Sequence, residues 1–251
     1  MRTPKEIAEK CVAVGISKAE TKIGRVFILS VFAGMFIAFA GAASTFAGAI
    51  VNKFCAAIIF CGGLSMVVVA GSELFTGNNL LMAALLKKKI TLKQLLKNWV
   101  IVYIGNFIGS VLISLLVVYS DSLSSVYENA VATAVSKVSM AFLPALFKGI
   151  LCNILVCIAV WMSFSSDNTA EKIILVIFPV AIFVLCGFEH SIANMYFIPA
   201  GMLAAGKYGV SAEGLNLFGL FIKNLLPVTI GNIIGGSAVV GAGYYCAYLK
   251  E

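Results

Sequence analysis

His190 is the sole histidine of the sequence. It lies in Gly187-Phe-Glu189-His190-Ser191-Ile-Ala-Asn194, within a long apolar run. An ionisable side chain at membrane depth marks a substrate path or a proton relay unless a neighbouring backbone group satisfies it. The break-like setting favours the path, against a neutral imidazole bonded to a nearby carbonyl. One histidine cannot build a multi-histidine metal site, and no HExxH or CxxC pattern accompanies it. Thr76, in Gly71-Ser-Glu73-Leu74-Phe75-Thr76-Gly-Asn78, occupies the corresponding place of a second patch, displaced by one residue. Its hydroxyl can donate to an anion, accept from a neutral acid, or cap a helix. Glu73 and Glu189 are expected to be held by backbone N–H groups, in a structural role rather than as proton relays. Asn153, in GILCNILV, needs hydrogen-bond partners wherever it is buried. Lys137 could draw anions to a vestibule, although spacing alone reads as an ordinary solvated lysine. Lys148, four residues after Pro144, is expected to snorkel outward.

Such groups must be positioned by elements, and the sequence repeats those elements. The pattern GxExxxxN occurs at Gly71 and again at Gly187, offset by 116. The pattern KNxxxxxIGNxIG occurs at Lys97 and at Lys223, offset by 126. Two matches in the same order point to a duplicated unit, with a longer loop before the last span of the second copy. Each copy holds three spans, an odd number, so the second must enter the membrane from the opposite side. GxxxG pairs at Gly105/Gly109 and Gly231/Gly235 predict close helix contact.

Composition agrees. Of 251 residues, 61% are apolar and 12% charged. Soluble domains hold about 45–50% and about 25%, so a soluble enzyme, a disordered chain and a disulfide scaffold are excluded. The net charge of +7 is read as a topology signal rather than a nucleic-acid footprint. Seven cysteines, none in a CxxC pair, read as small buried hydrophobes. Six spans are predicted over roughly 26–48, 54–86, 99–120, 141–164, 172–205 and 217–248. The second and fifth are too long for one crossing, and each contains a Gly-bearing polar patch. Both are predicted to be broken helices, with Glu73, Asn78, Glu189 and Asn194 supporting the breaks. Each break starts a half-helix whose positive end favours an anion or a strongly polar solute.

Residues 1–25 are predicted as a cytoplasmic amphipathic helix, opened by the capping box Thr3-Pro4-Lys5-Glu6. Lid and passive interfacial helix are both open readings for it. The stretch is too long and too acidic for a signal-peptide n-region. Residues 26–251 form a single transmembrane domain, with repeat one at about 26–120 and repeat two at about 141–251. Thirteen of the 18 Lys and Arg fall on the side of the N-terminus, which places both termini in the cytoplasm.

Together these residues resemble the formate/nitrite transporter family over all six spans. The resemblance is carried by Gly71-Ser-Glu73-Leu74-Phe75-Thr76, by Gly187-Phe-Glu189-His190-Ser191-Ile-Ala-Asn194-Met195 with Ile198-Pro199, and by Leu226-Pro227-Val-Thr-Ile-Gly-Asn-Ile-Ile-Gly-Gly236. It implies an all-α, aquaporin-like protomer, six helices in an inverted three-helix repeat with the second and fifth broken. It implies a homopentamer in a bacterial inner membrane, passing a small monovalent anion or its acid: formate, nitrite or hydrosulfide. The whole chain is similar to the hydrosulfide-channel branch. By motif, Thr76 and His190 become the central pair, Lys137 the vestibule lysine and Asn153 the pore asparagine. Phe60, Val156 and Phe183 become the outer constriction, and Leu64, Leu74 and Phe75 the inner one. Lys148 departs from the apolar residue usual at its position. The partners implied are the anion and membrane lipid, with no cofactor, metal or nucleic acid. An enzyme is disfavoured, because no nucleophile–base pair or metal cluster is present. The rivals are a proton-coupled transporter of the same anions and a channel for neutral solutes, although the latter's paired Asn-Pro-Ala is missing.

Overall fold

The structure, a computed structural model, describes residues 1–250. Among them every regular element is helical. The first is α1 (Pro4–Glu20), followed by α2 (Ile23–Ile50) and α3 (Lys53–Ala70). A 3-10 turn over Gly77–Leu80 leads into α4 (Leu81–Leu86), and α5 (Leu92–Tyr119) closes the first half. The second half runs through α6 (Tyr127–Val138), α7 (Phe142–Ser163), α8 (Thr169–Cys186) and α9 (Ser191–Tyr208). It ends in α10 (Gly219–Tyr248), which carries π-helical stretches over Gly219–Leu225 and Ile234–Gly241. Helices α2, α3, α5, α7, α8 and α10 are long and apolar enough to cross a membrane.

Local chemistry sets the ends. Thr3 and Thr91 form capping boxes with Glu6 and Gln94. Asn52 and Asn168 cap α3 and α8 through their side-chain oxygens. Gly71 and Gly187 terminate α3 and α8 at φ 72° and 68°, a left-handed conformation that a Cβ would strain. The second and fifth spans are therefore broken where the two GxE patches fall. The extra length of the second repeat is shared between its loop and a longer half-helix, with 18 residues in α9 against four plus six in the first copy.

Packing repeats with the sequence. Helix α2 lies along α5 as α7 lies along α10, and α3 and α8 cross at the centre. The glycines of the GxxxG pairs make these contacts backbone to backbone: a Cβ on Gly109 would sit 2.1 Å from the Val31 carbonyl oxygen, and one on Gly235 would sit 2.2 Å from that of Ile150. The repeat also extends further than three spans. Helix α1 covers α4 as α6 covers α9. Helix α1 is consequently no passive surface helix: Ile7, Ala8, Cys11, Val12 and Gly15 are buried in the main core. Outward faces stay apolar, as with Phe178, Leu143 and Val100, which suits a lipid or protein surround rather than water.

Candidate functional site

The two breaks are pinned by one asparagine each, from the IGN segments. Asn106 Oδ1 accepts from the Phe75 N–H at 2.9 Å, and its amide donates to the carbonyls of Ser30 (2.7 Å) and Glu73 (2.9 Å). Asn232 does the same in the second copy, accepting from the Ser191 N–H at 2.9 Å and donating to the carbonyls of Gly149 (2.8 Å) and Glu189 (3.0 Å). Each asparagine thus satisfies three backbone groups that a broken helix leaves open in a dry interior.

The glutamates are held differently from the sequence expectation. Their carboxylates take side-chain donors, not backbone N–H groups. Glu73 accepts from the Asn78 amide at 2.6 Å and pairs with Lys18 at 2.8 Å. Glu189 accepts from the Asn194 amide at 2.6 Å and pairs with Lys137 at 2.9 Å. The asparagine amides donate onward to Asn98 (2.9 Å) and Asn224 (2.7 Å). Asn106 and Asn232 each take one backbone N–H of their break, and the carboxylates meet the lysines, where a buried charge finds its counter-ion. Lys137 also sits 5.4 Å from the ring centroid of Phe197.

Between the breaks, Thr76 Oγ1 lies 2.9 Å from His190 Nε2. His190 is the N-cap of α9, and its Nδ1 accepts the Ala193 N–H at 3.0 Å. An accepting Nδ1 carries no proton, so the proton of the neutral ring is on Nε2 and points at Thr76. The threonine oxygen then accepts, and its own hydrogen is free to donate elsewhere. Thr76 makes no cap bond of its own. Asn153 stands behind this pair rather than in a cavity. Its amide ties the Thr76 carbonyl (3.2 Å) to that of Asn232 (2.7 Å), joining the two breaks, and its Oδ1 is buried without a partner.

Three spaces lie along the axis. A cavity of about 300 Å³ opens at α1, lined by Cys11, Lys18, Gly71, Glu73, Leu74 and Asn78 among others. A cavity of about 160 Å³ opens at α6, lined by Lys137, Glu189, His190, Phe183, Gly187 and Phe197 among others. Between them is a void of about 10 Å³, bounded by Ile37, Phe60, Leu64, Leu74, Val156, Val180, Phe183 and His190. Five of the six constriction residues bound this void, Phe60, Val156 and Phe183 from the outer set and Leu64 and Leu74 from the inner one. Phe60 and Phe183 meet edge to face at 5.9 Å. Phe75 is elsewhere: its ring packs against Tyr103 at 4.9 Å and Trp99 at 6.0 Å, where aromatic contact fixes it to α5. The void has room for about one water, so the path is closed in this conformation. Lys148 lines none of these spaces.

Sequence reasoning missed Lys18 and left Asn98, Asn106, Asn224 and Asn232 without roles. The signal was present, because Lys18 precedes Lys137 by nearly the offset that separates the glutamates, and each asparagine stands in a repeated motif.

The family pattern described as Formate/nitrite transporter matches residues 5–246. The chain belongs to the formate/nitrite transporter family. The formate channel FocA of Escherichia coli (strain K12) is 38% identical over 99% of this chain and 95% of its own length. The probable formate transporter of Methanothermobacter thermautotrophicus is 35% identical over 100% of this chain and 98% of its own. A solved FNT family ion channel superposes with a TM-score of 0.88 at 28% identity, covering 96% of this chain and 98% of that one. A solved pentameric formate channel with formate bound gives 0.78 at 34% identity, covering 91% and 98%. The chain is thus a multi-pass membrane protein of a transporter family, and not an enzyme.

Proposed function

We propose that this chain is a passive channel for small monovalent anions or their conjugate acids, of the formate, nitrite and hydrosulfide class. The observation that carries the reading is the Thr76–His190 hydrogen bond at 2.9 Å, formed where the two inverted breaks meet. A bare anion entering an apolar ring loses its hydration, a large cost without replacement donors. The Thr76 hydroxyl hydrogen, which His190 leaves free, is the replacement donor at midpath, and the half-helix ends add their positive field rather than bare N–H groups. Lys18 and Lys137 line the two flanking cavities, each paired with the glutamate of its own break, within the symmetry of the repeat. His190, with both ring nitrogens engaged, positions Thr76 and does not hand over a proton in this conformation. Phe60, Val156, Phe183, Leu64 and Leu74 form the dry seal, which must open for an ion of formate size. A single-heavy-atom species such as hydrosulfide asks the least movement of it.

The lysine and arginine distribution supports both termini in the cytoplasm, with α1 on the cytoplasmic face of a bacterial inner membrane. The pentameric relative supports a homopentamer with one path per protomer. The test is uptake of formate, nitrite and hydrosulfide by the same proteoliposomes across pH, with and without an imposed proton gradient. Equilibration down each anion's own gradient is expected. Accumulation driven by protons would identify a proton-coupled transporter instead, and osmotic swelling without anion flux would identify a neutral-solute channel.

A further inference from the structure

The cavity at α6 carries a lysine, but that lysine is compensated. The Lys137 ammonium lies 2.9 and 3.1 Å from the two oxygens of the buried Glu189 carboxylate, Lys137 itself being partly buried, and together they contribute almost no net charge to the space they line. An anion approaching this mouth therefore needs another source of attraction. Lys53, at the first position of α3, is exposed. Its ammonium lies 3.9 Å from where a Cβ would stand on Gly187, and Gly187 lines the cavity at α6. Among the described residues no carboxylate is in ion-pair distance of it. Asn52 fixes its backbone by capping α3, with the Cys55 N–H donating to Asn52 Oδ1 at 2.9 Å. Gly187 itself is bound to its left-handed turn, so the surface beneath the ammonium stays bare.

We infer that Lys53 is the anion-capture residue of the α6-side mouth: an uncompensated charge at the rim that concentrates anions there, while Lys137 is spent on holding Glu189. This rests on the anion-channel reading above. Two unit charges about 7 Å apart in water attract by about one unit of thermal energy, equivalent to about threefold in local concentration. The effect is screened once salt shortens the Debye length from about 10 Å at 0.1 M. It acts on entry and leaves the dry seal untouched.

The experiment is formate influx into proteoliposomes at low ionic strength, with wild type, Lys53→Gln, Lys53→Arg and Lys53→Glu, each repeated in high salt. Lys53→Gln is expected to raise the half-saturating formate concentration about threefold with the maximal rate unchanged, Lys53→Glu to raise it further, and Lys53→Arg to match wild type. High salt is expected to merge all four curves. A Lys53→Gln curve identical to wild type at low salt, or a loss confined to maximal rate and insensitive to salt, would overturn the inference while leaving the channel reading intact. Wild type that carries no formate at all would overturn the channel reading, and this inference with it.

Discussion

Thr76 and His190 bond to each other across the whole sequence, and neither can be changed alone without cost to the other. Thr76→Val keeps the volume but removes the donor, so an anion at midpath loses a charge-assisted hydrogen bond of about 1.5–3 kcal/mol. Anion flux should fall at least about tenfold, and thermal stability should fall too, because the buried His190 Nε2–H loses its acceptor; flux equal to wild type would show that the hydroxyl plays no part. His190→Asn retains an acceptor for the Ala193 N–H but not the reach to Thr76. It should fold and conduct poorly, whereas His190→Ala should also lose stability by leaving that N–H unpaired. Lys137 gives the sharpest stability contrast. Lys137→Met strands a buried carboxylate, a loss of about 3–5 kcal/mol, and should lower the melting temperature in detergent. The paired change Lys137→Met with Glu189→Gln should recover most of that loss, and failure to recover would mean that Lys137 acts through other contacts. These residues were legible singly, as polar groups in apolar runs. Their mutual bonds were not, because hydrogen-bond direction depends on backbone that a sequence does not display. The carboxylates of Glu73 and Glu189 are a case in point: the sequence suggests backbone N–H partners, and the fold supplies asparagine and lysine side chains instead.

At the level of elements, the breaks hold because one asparagine closes three backbone valences in each. Asn106→Ala or Asn232→Ala should therefore destabilise well beyond an ordinary surface change, by about 1–3 kcal/mol for each stranded group. Hydrogen exchange should then show faster opening at α4 or α9 respectively; protection equal to wild type would refute the pin. Helix α1 is latched at its start. Arg2 pairs with Asp167 at 2.5 Å and donates to the Phe164 carbonyl at 2.8 Å. The hydrogen bond from Arg2 holds the Asp167 carboxyl below its ordinary value of 3.8. A depressed carboxylate stabilises the folded contact above its unfolded value and loses that contribution only as pH falls through its folded value. The latch should thus stay shut across the mildly acidic range and weaken only below about pH 4. Exchange at the N-terminal turn of α1 that rises already near pH 6 would contradict this. The broken spans and the capping box could be read from glycine, polar and capping positions. The burial of α1 could not, because its apolar stripe is narrow and only the tertiary partner α4 gives that stripe a place.

For the whole molecule, the inverted repeat explains why two cavities, two lysine–glutamate pairs and two pinned breaks face each other around a single dry void. Duplication was visible in the motifs, and odd span number fixed the inversion. Missing from the sequence was that α1 and α6 belong to the repeat, since neither crosses the membrane and their residues share little beyond one lysine. The motif neighbours of Phe75 point it to the path, whereas packing turns its ring to Trp99 and Tyr103. The central claim is that the two halves are joined by a neutral imidazole that donates from Nε2 to Thr76. Because the sequence contains a single histidine, nitrogen NMR of histidine-labelled protein in lipid bilayers reads this claim in the intact assembly. At pH 7 the spectrum should show a protonated Nε2 and a bare Nδ1, with Thr76→Val shifting mainly the Nε2 resonance. An imidazolium signal, or a proton on Nδ1, would contradict the account.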